Sequence, residues 1–118
     1  MELSDWVSRY ETKAEPYNEE SIYKLHFDQD QGFIRWVKVG DVLLMGACCA
    51  ESMRWVHDWC MAKAKELGCK TLATHTKRNP RAFLRRAYAL GYDVHFDLQN
   101  AGYMKNGIFY WYLTEDVR

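Results

Sequence analysis

The sequence AKAKELGCKTLATHTKRNPRAFLRRAYALGYDV, residues 62–94, marks the ends of its helices more clearly than the rest of the chain does. Gly68 stands where a helix C′ residue belongs, behind a last turn that carries lysines. Asn79 is a favourable helix N-cap, Pro80 occupies the first helical position, and Gly91 occupies the C′ position of the same helix. The stretch therefore predicts the end of one helix, a strand at CKTLATHT, and a second helix at RNPRAFLRRAYALGY.

The first of these helices begins near residue 51, in ESMRWVHDWCMAKAKELG. Its apolar residues recur at steps of three and four, a spacing that places them on one face of a helix. The residues of this stripe are Met53, Val56, Cys60, Ala64 and Leu67. Charged residues fall largely outside the stripe, so an amphipathic helix of about 17 residues is predicted.

Upstream of this helix, the segments SIYKLHFD, FIRWVKV and DVLLMGACC, residues 21–28, 33–39 and 41–49, are separated by turn residues. Apolar and polar residues alternate in the first segment, which is typical of a half-buried strand. The third has a continuous apolar run, which indicates a strand inside the sheet with both faces covered. Three consecutive antiparallel strands are predicted.

The last third of the chain ends in two further strands. They are YDVHFDL, residues 92–98, and GIFYWYLT, residues 107–114, joined by the predicted loop QNAGYMKN. The resulting order is β-β-β-α-β-α-β-β. This order predicts an α/β protein of the α+β type with a mixed sheet.

The length of 118 residues and the apolar content of 48% fit one core and one domain spanning residues 1–118. Residues 1–20 differ from the rest because they are rich in acidic side chains. Ser4 is placed to cap a short helix there, with Trp6 and Tyr10 on one side. We expect an acidic, loosely attached lead-in ahead of a core at residues 21–114.

The composition also limits the class of function. Sixteen basic and sixteen acidic residues cancel, so no bulk charge draws the protein to nucleic acid or anionic lipid. No apolar stretch approaches the ~20 residues that cross a bilayer, and the N-terminus does not resemble a secretion signal. We expect a soluble, cytoplasmic protein without a membrane partner. The four cysteines lack metal-ligand spacing and are predicted to be buried thiols.

The helix ending in LG, the strand, the N-x-x-A helix and the following LGY resemble the GNAT (GCN5-related N-acetyltransferase) superfamily over residues 21–114. The resemblance implies the GNAT fold and acetyl-CoA bound between the third and fourth strands. It implies that backbone groups of Met45, Ala47 and Cys48 align this cofactor, and that Asn79 contacts its pantetheine arm. The phosphates are expected at the N-terminus of the first long helix.

The phosphate loop departs from the family pattern. Members of the family have roughly Gln/Arg-x-x-Gly-x-Gly/Ala there, whereas this chain has GACCAES, residues 46–52. The loop has no arginine, and Glu51 places a carboxylate where the pyrophosphate is expected. A structural interpretation is that Glu51 and Ser52 cap the helix.

Two residues are candidates for proton transfer. His75 ends the fourth strand, beside the predicted cofactor site, where a neutral imidazole can accept an amine proton. The family's general-acid tyrosine falls on Ala87, four residues before Gly91, so its neighbour Tyr88 is the alternative. Tyr88 is turned about 100° from that position and is expected to pack in the core.

A run of cations without acidic residues lies between residues 70 and 86. Its members are Lys70, Lys77, Arg78, Arg81, Arg85 and Arg86. Arg81 and Arg85 are one turn apart, so one phosphate, such as the 3′-phosphate of CoA, can bridge them. A nucleic-acid backbone, an acidic partner, or solvent alone are the alternatives.

The four histidines show no metal spacing, and no metal is expected. Trp55 and His57 are hard to place in the core, which indicates a contact with a partner or a second copy of the chain. Three functions remain open. The first is an N-acetyltransferase acting on a small-molecule or protein amine. The others are a non-catalytic GNAT-like binding or virion-associated module, of the kind that compact phage genomes encode, and a nucleic-acid binder.

Overall fold

The computed structural model describes residues 1–13, 17, 22–77, 80–91, 96–105 and 107–118. The elements are α1 (Leu3–Lys13), β1 (Lys24–Asp28), β2 (Gly32–Val39), β3 (Val42–Ala50), α2 (Met53–Glu66), β4 (Thr71–Thr76), α3 (Arg81–Ala89), β5 (Asp97–Lys105) and β6 (Ile108–Asp116). The predicted order of strands and helices is confirmed.

The strands form one sheet of six in the order β1-β2-β3-β4-β6-β5. Only β3 and β4 run parallel, because α2 carries the chain back across the sheet between them. The remaining neighbours in this sheet are antiparallel. The predicted mixed sheet, with β3 in its interior, is confirmed.

The sheet has a core on each face. On one face α2 buries Val56 and Cys60 against the strands, among them Ile34 and Leu72, in the larger cluster. The opposite face carries Phe33 and Cys49, which are covered by α1. These two surfaces are called the α2 face and the α1 face below.

The N-terminal helix is firmly packed, so the expectation of a loosely attached lead-in is wrong. Trp6 has 1% of its surface exposed, and Tyr10 is buried beside it. The indole Nε1 of Trp6 also donates a hydrogen bond to the carbonyl oxygen of Gln29. The acidic residues near the N-terminus do not prevent α1 from packing on the sheet, because the helix has an apolar stripe and that stripe faces the sheet.

The C-terminal ends of α2 and α3 match the sequence prediction, whereas α3 begins at Arg81, one residue later than predicted, with Pro80 at the N-cap position. The N-cap of α2 is Ser52, whose Oγ accepts a hydrogen bond from the backbone N–H of Trp55. Gly68 and Gly91, which follow α2 and α3, have φ values of 71° and 73°, as a left-handed C′ residue requires. The predicted N-cap Asn79 lies outside the described residues.

The C-terminal hairpin is tighter than predicted. The expected loop at residues 99–106 largely belongs to β5, which runs to Lys105 and pairs with β6 almost to the turn. Asn and Gly residues favour turns locally, but cross-strand pairing with β6 outweighs that preference here. Residues 92–95 of the predicted fifth strand lie outside the described residues.

The structure places two side chains differently from the predictions made from the sequence. Tyr88 is 59% exposed, whereas its neighbour Ala87 is buried, so the expected core packing of Tyr88 is wrong. The buried stripe of α3 passes through Ala87, and the next residue is turned about 100° away from it. His57 is buried and bound to Glu115, so its ring is not available for a partner contact. Trp55 is partly exposed and stacks against His26.

The cysteines follow the prediction of buried thiols. Cys49, Cys60 and Cys69 are buried, Cys48 is partly buried, and all four are free. Within the described parts of the chain, no group of three His, Cys, Asp or Glu side chains is arranged to hold a metal ion. Over the same residues, no helix is long and apolar enough to cross a membrane.

Candidate active site

The two parallel strands separate along their length. β3 and β4 are paired from Val42 and Thr71 as far as Met45 and Thr74. Beyond that pair β3 continues to Ala50 and β4 to Thr76, with no pairing between them in the part of the chain that the structure describes. We call the gap between β3 residues 46–50 and β4 residues 75–76 the strand opening. The hydroxyl of Thr74 lies 3.3 Å from the carbonyl oxygen of Met45 and closes its inner end.

A β-bulge lies where the strand opening begins. Met45 pairs with Trp36 and Cys48 pairs with Ile34, so Gly46 and Ala47 together oppose the single residue Arg35. Such a bulge leaves one residue out of the ladder and redirects its backbone groups. A Cβ atom at Gly46 would lie 2.9 Å from ring atoms of Tyr23, so the bulge is covered closely on that side.

The bulge sets the direction of the predicted cofactor-binding residues. Met45 and Cys48 pack on the α2 face, whereas Ala47 packs on the α1 face. Burial raises the pKa of the Cys48 thiol to about 11, so this side chain is a thiol rather than a nucleophilic thiolate at neutral pH. What β3 offers to the strand opening is therefore its backbone.

His75 lies at the inner end of the strand opening, one residue beyond Thr74. Alternation along β4 places its side chain on the α1 face, opposite to that of Leu72. The imidazole stacks on Tyr112 with 4.6 Å between ring centroids. Burial lowers its pKa below the usual 6.5, so the ring is neutral at pH 7 and able to accept a proton. Of the two residues proposed for proton transfer, the structure places this one at the opening.

Tyr88, the other candidate, lies in the last turn of α3. It is about 10 Å along the helix axis from Arg81, the first residue of that helix. Its exposed position follows from the packing of Ala87. The structure therefore does not bring Tyr88 together with His75 through any contact of the described residues.

The N-terminus of α2 carries an ion pair that the sequence did not reveal. Contrary to expectation, Glu51 does not cap the helix. Its carboxylate accepts a hydrogen bond of 2.8 Å from Nη1 of Arg9, a residue of α1, while Ser52 alone provides the cap. An arginine of the N-terminal helix thus lies at the start of α2, whose own loop sequence has none. No local motif could have shown this, because the partners are 42 residues apart.

The predicted basic run does not form one surface. Lys70 precedes β4 and Lys77 follows it, so six strand residues, about 20 Å, separate them. Arg81 and Arg85 are exposed on the first turns of α3, and the guanidinium of Arg81 lies 5.4 Å from the ring centroid of Trp111. Arg86 is exposed as well, and Arg78 lies outside the described residues.

A shallow cavity of about 550 Å³ lies beside the N-terminus of α2. It is lined by Gln31, Ser52, Arg54, Trp55, Asp58 and Trp59. None of these residues belongs to β4 or α3, so we distinguish this cavity from the strand opening.

The sequence matches no protein-family model and no curated protein. Solved structures do resemble the fold. A putative N-acetyltransferase from Lactobacillus plantarum matches at 14% identity over 98% of this chain and 87% of its own, with a TM-score of 0.64. Ard1 from Thermoplasma volcanium matches at 12% identity over 100% and 95%, with a TM-score of 0.64.

A Bacillus subtilis acetyltransferase, solved in complex with CoA, matches at 16% identity over 80% of this chain and 75% of its own, with a TM-score of 0.52. At these identities the likeness concerns the backbone arrangement. Together with the parting of β3 and β4 and the two helices that flank β4, it shows that this chain has the GNAT fold of acyl-CoA N-acyltransferases.

Proposed function

We propose that this protein is an N-acyltransferase that moves an acetyl group from acetyl-CoA to an amine. The observation that carries the proposal is the strand opening, which begins at a β-bulge and has a neutral histidine at its inner end. The CoA found in the structurally similar Bacillus subtilis acetyltransferase supports the choice of donor.

The strand opening fits the pantetheine arm of CoA. This arm carries two amide groups, and the edge of β3 that faces the opening lacks a strand partner among the described residues. Such an edge supplies backbone N–H and C=O groups for amides of this kind. Met45, Ala47 and Cys48 would provide these backbone contacts.

The N-terminus of α2 fits the phosphate end of CoA when Arg9 is considered together with Glu51. A lone carboxylate at the N-terminus of α2 would repel a pyrophosphate. Because Glu51 is bound to Arg9 at 2.8 Å, the pair is neutral, and the guanidinium has further N–H donors to offer a phosphate. Arg81 and Arg85, exposed at the start of α3, would serve the 3′-phosphate.

The transfer reaction needs few side-chain groups. The amine nitrogen attacks the thioester carbonyl carbon, a C–N bond forms, and the C–S bond breaks. The CoA sulfur leaves and takes up a proton, and the proton lost by the amine passes to His75 and then to water. Since burial keeps the imidazole neutral at pH 7, His75 can take that proton without first losing a proton of its own.

Calorimetric titration with acetyl-CoA, followed by an assay of amine-dependent thiol release, tests this function. We expect binding that weakens about tenfold in the double variant Arg81→Ala/Arg85→Ala. Lys70→Ala is the matched control, since it removes an exposed cation from the other end of β4. If millimolar acetyl-CoA gives neither heat nor a thermal shift, the proposal is wrong.

A further inference from the structure

Arg35, in the middle of β2, is a buried cation with no carboxylate partner among the residues that the structure describes. Its exposed fraction is 6%, and none of the ion pairs among the described residues includes it. Nη1 donates to the hydroxyl of Tyr17 and Nη2 to the backbone carbonyl of Tyr23, each at 2.7 Å. Nε is buried and has no hydrogen-bond partner in the described structure.

Within the described parts of the chain, these contacts leave the charge of Arg35 uncompensated. Both acceptors are neutral, and the ring of Tyr17, 5.3 Å from the guanidinium, adds only a cation–π contact. Burying a charge is costly unless the charge is paired and its donors are satisfied. A guanidinium with a free Nε–H matches a carboxylate, which can accept two parallel N–H hydrogen bonds.

The position of Arg35 relates it to the strand opening. In β2 it opposes the bulge residues Gly46 and Ala47, and in β4 His75 comes directly after the last residue paired with Met45. Arg35 and His75 therefore lie at the same level of the sheet, on either side of the bulge. Because β3 and β4 have begun to separate there, their backbones are more than two strand spacings, or about 10 Å, apart.

Both side chains also lie on the same face. Arg35 alternates with Ile34 and Trp36, which belong to the α2-face core, and its partner Tyr17 packs against the α1-face cluster. His75 lies on the α1 face as well, by alternation with Leu72. A molecule that contacts both residues would lie on this face, beside the ring of Tyr23 that covers Gly46.

We infer that Arg35 binds a carboxylate of the acceptor, so that the acceptor is an amine that also carries a carboxylate, with its amine at His75. This inference rests on the proposed acyl transfer. The carboxylate would reach Nε past the rings of Tyr17 and Tyr23, which are both partly exposed. An amine and a carboxylate separated by several methylene groups fit the distance between the two strands better than an α-amino acid does.

The alternative is that Arg35 only fixes Tyr17 and the backbone of Tyr23. That role predicts a loss of stability on substitution, but no preference for acidic acceptors. The two roles can therefore be separated by acceptors that differ only in charge, namely a series of ω-amino acids and the corresponding ω-amino amides.

In the transfer assay, the wild type should use the best ω-amino acid with a kcat/KM about tenfold or more above that of its amide, the expected advantage of a hydrogen bond to a charged group. In Arg35→Lys this ratio should fall towards one. Arg54→Lys, an exposed arginine of α2, is the control. Equal rates for acid and amide in the wild type, or the same preference in Arg35→Lys, would overturn the inference while leaving the acetyltransferase proposal intact.

A second measurement needs neither turnover nor a variant that folds. The Nε–H resonance of Arg35 in the wild-type protein should shift in titration with the ω-amino acid and remain in place with the amide. If the same small shift is seen with both, the carboxylate site does not exist. An absence of acetyl-CoA binding or of transfer to every amine would instead remove the proposed function, and with it the acceptor role of this site.

Discussion

Nη1 of Arg9 lies 2.8 Å from the carboxylate of Glu51, and this hydrogen-bonded pair joins the N-terminal helix to the loop that begins α2. Glu51 alone would argue against phosphate binding at this helix end. The pair brings a cation to the same place and neutralises the carboxylate. The electrostatic character of the site thus depends on how α1 docks on the sheet.

Substitutions in this pair should change the affinity for CoA in opposite directions. Glu51→Gln removes the carboxylate and leaves Arg9 to bind phosphate, so the affinity should rise about three- to tenfold. Arg9→Ala leaves Glu51 unpaired, and the affinity should fall by a similar factor. Calorimetry at low and high salt measures both. Glu66→Gln, at the other end of α2, is the control, and a loss of affinity in Glu51→Gln would contradict this account.

The pH dependence of transfer should report His75. The base must be neutral, and burial lowers its pKa below 6.5, so kcat/KM should be constant near neutrality and fall only at a pH below that value. His75→Gln should lower kcat/KM about 100-fold and abolish this acid limb. His26→Gln is the control, since His26 lies on β1, beyond β2 and β3 from the strand opening. An unchanged pH profile in His75→Gln would exclude His75 as the base.

The stability of the fold should also depend on pH through these two histidines. Burial lowers the pKa of both His26 and His75 in the folded state, so the unfolded chain takes up protons first as the pH falls. Stability should therefore decrease as the pH drops below about 6.5. Thermal unfolding between pH 8 and pH 5 measures this decrease, which should be smaller in His26→Phe.

Glu115 should be important for stability. Its side chain is fully buried, and its two oxygens contact His57 Nε2 at 2.5 Å and Arg118 Nη1 at 2.6 Å. Glu115→Gln weakens both contacts and should reduce the free energy of unfolding by about 3 kcal/mol. The comparison is Glu66, an exposed residue of α2 whose carboxylate lies 3.3 Å from Nζ of Lys63. Glu66→Gln should cost less than about 0.5 kcal/mol. Denaturant unfolding that gives similar losses for both would contradict the buried role of Glu115.

Gly32 should tolerate no side chain. Its φ is 136°, and a Cβ atom would lie 2.0 Å from the carbonyl oxygen of Cys49. Gly32→Ala should destabilise the fold by more than about 3 kcal/mol. Gly40 also has a positive φ, 61°, but open space around it, so Gly40→Ala should cost only about 1 kcal/mol. Equal losses in denaturant unfolding would show that backbone strain, rather than the close approach to β3, limits both positions.

The features that the sequence predicted correctly are those set by neighbours along the chain. The helix stops at Gly68 and Gly91, the cap at Ser52 and the order of strands all follow from local spacing and backbone preference. His75 belongs to this group, since its place at the end of a strand can be read from the pattern. The extent of β5 could not be predicted, because its pairing with β6 outweighs local turn propensity.

The sequence indicates that Arg35 is a buried cation but does not show its contacts. In FIRWVKV it alternates with Phe33 and Val37, so a charged residue lies on an otherwise apolar face of a strand. That is a signal for a buried cation. Its neutral partners and its position beside the bulge follow only from the register of β2 against β3.

By itself, the sequence determined the helices and strands and their order along the chain, because hydrophobic periodicity, helix caps and turn residues act over a few positions. The tertiary structure decided the chemistry of the site. Arg9 meets Glu51 across 42 residues, and β3 parts from β4 only after Met45 and Thr74. Pairing over such distances depends on how helices dock on a folded sheet, and no local spacing records it.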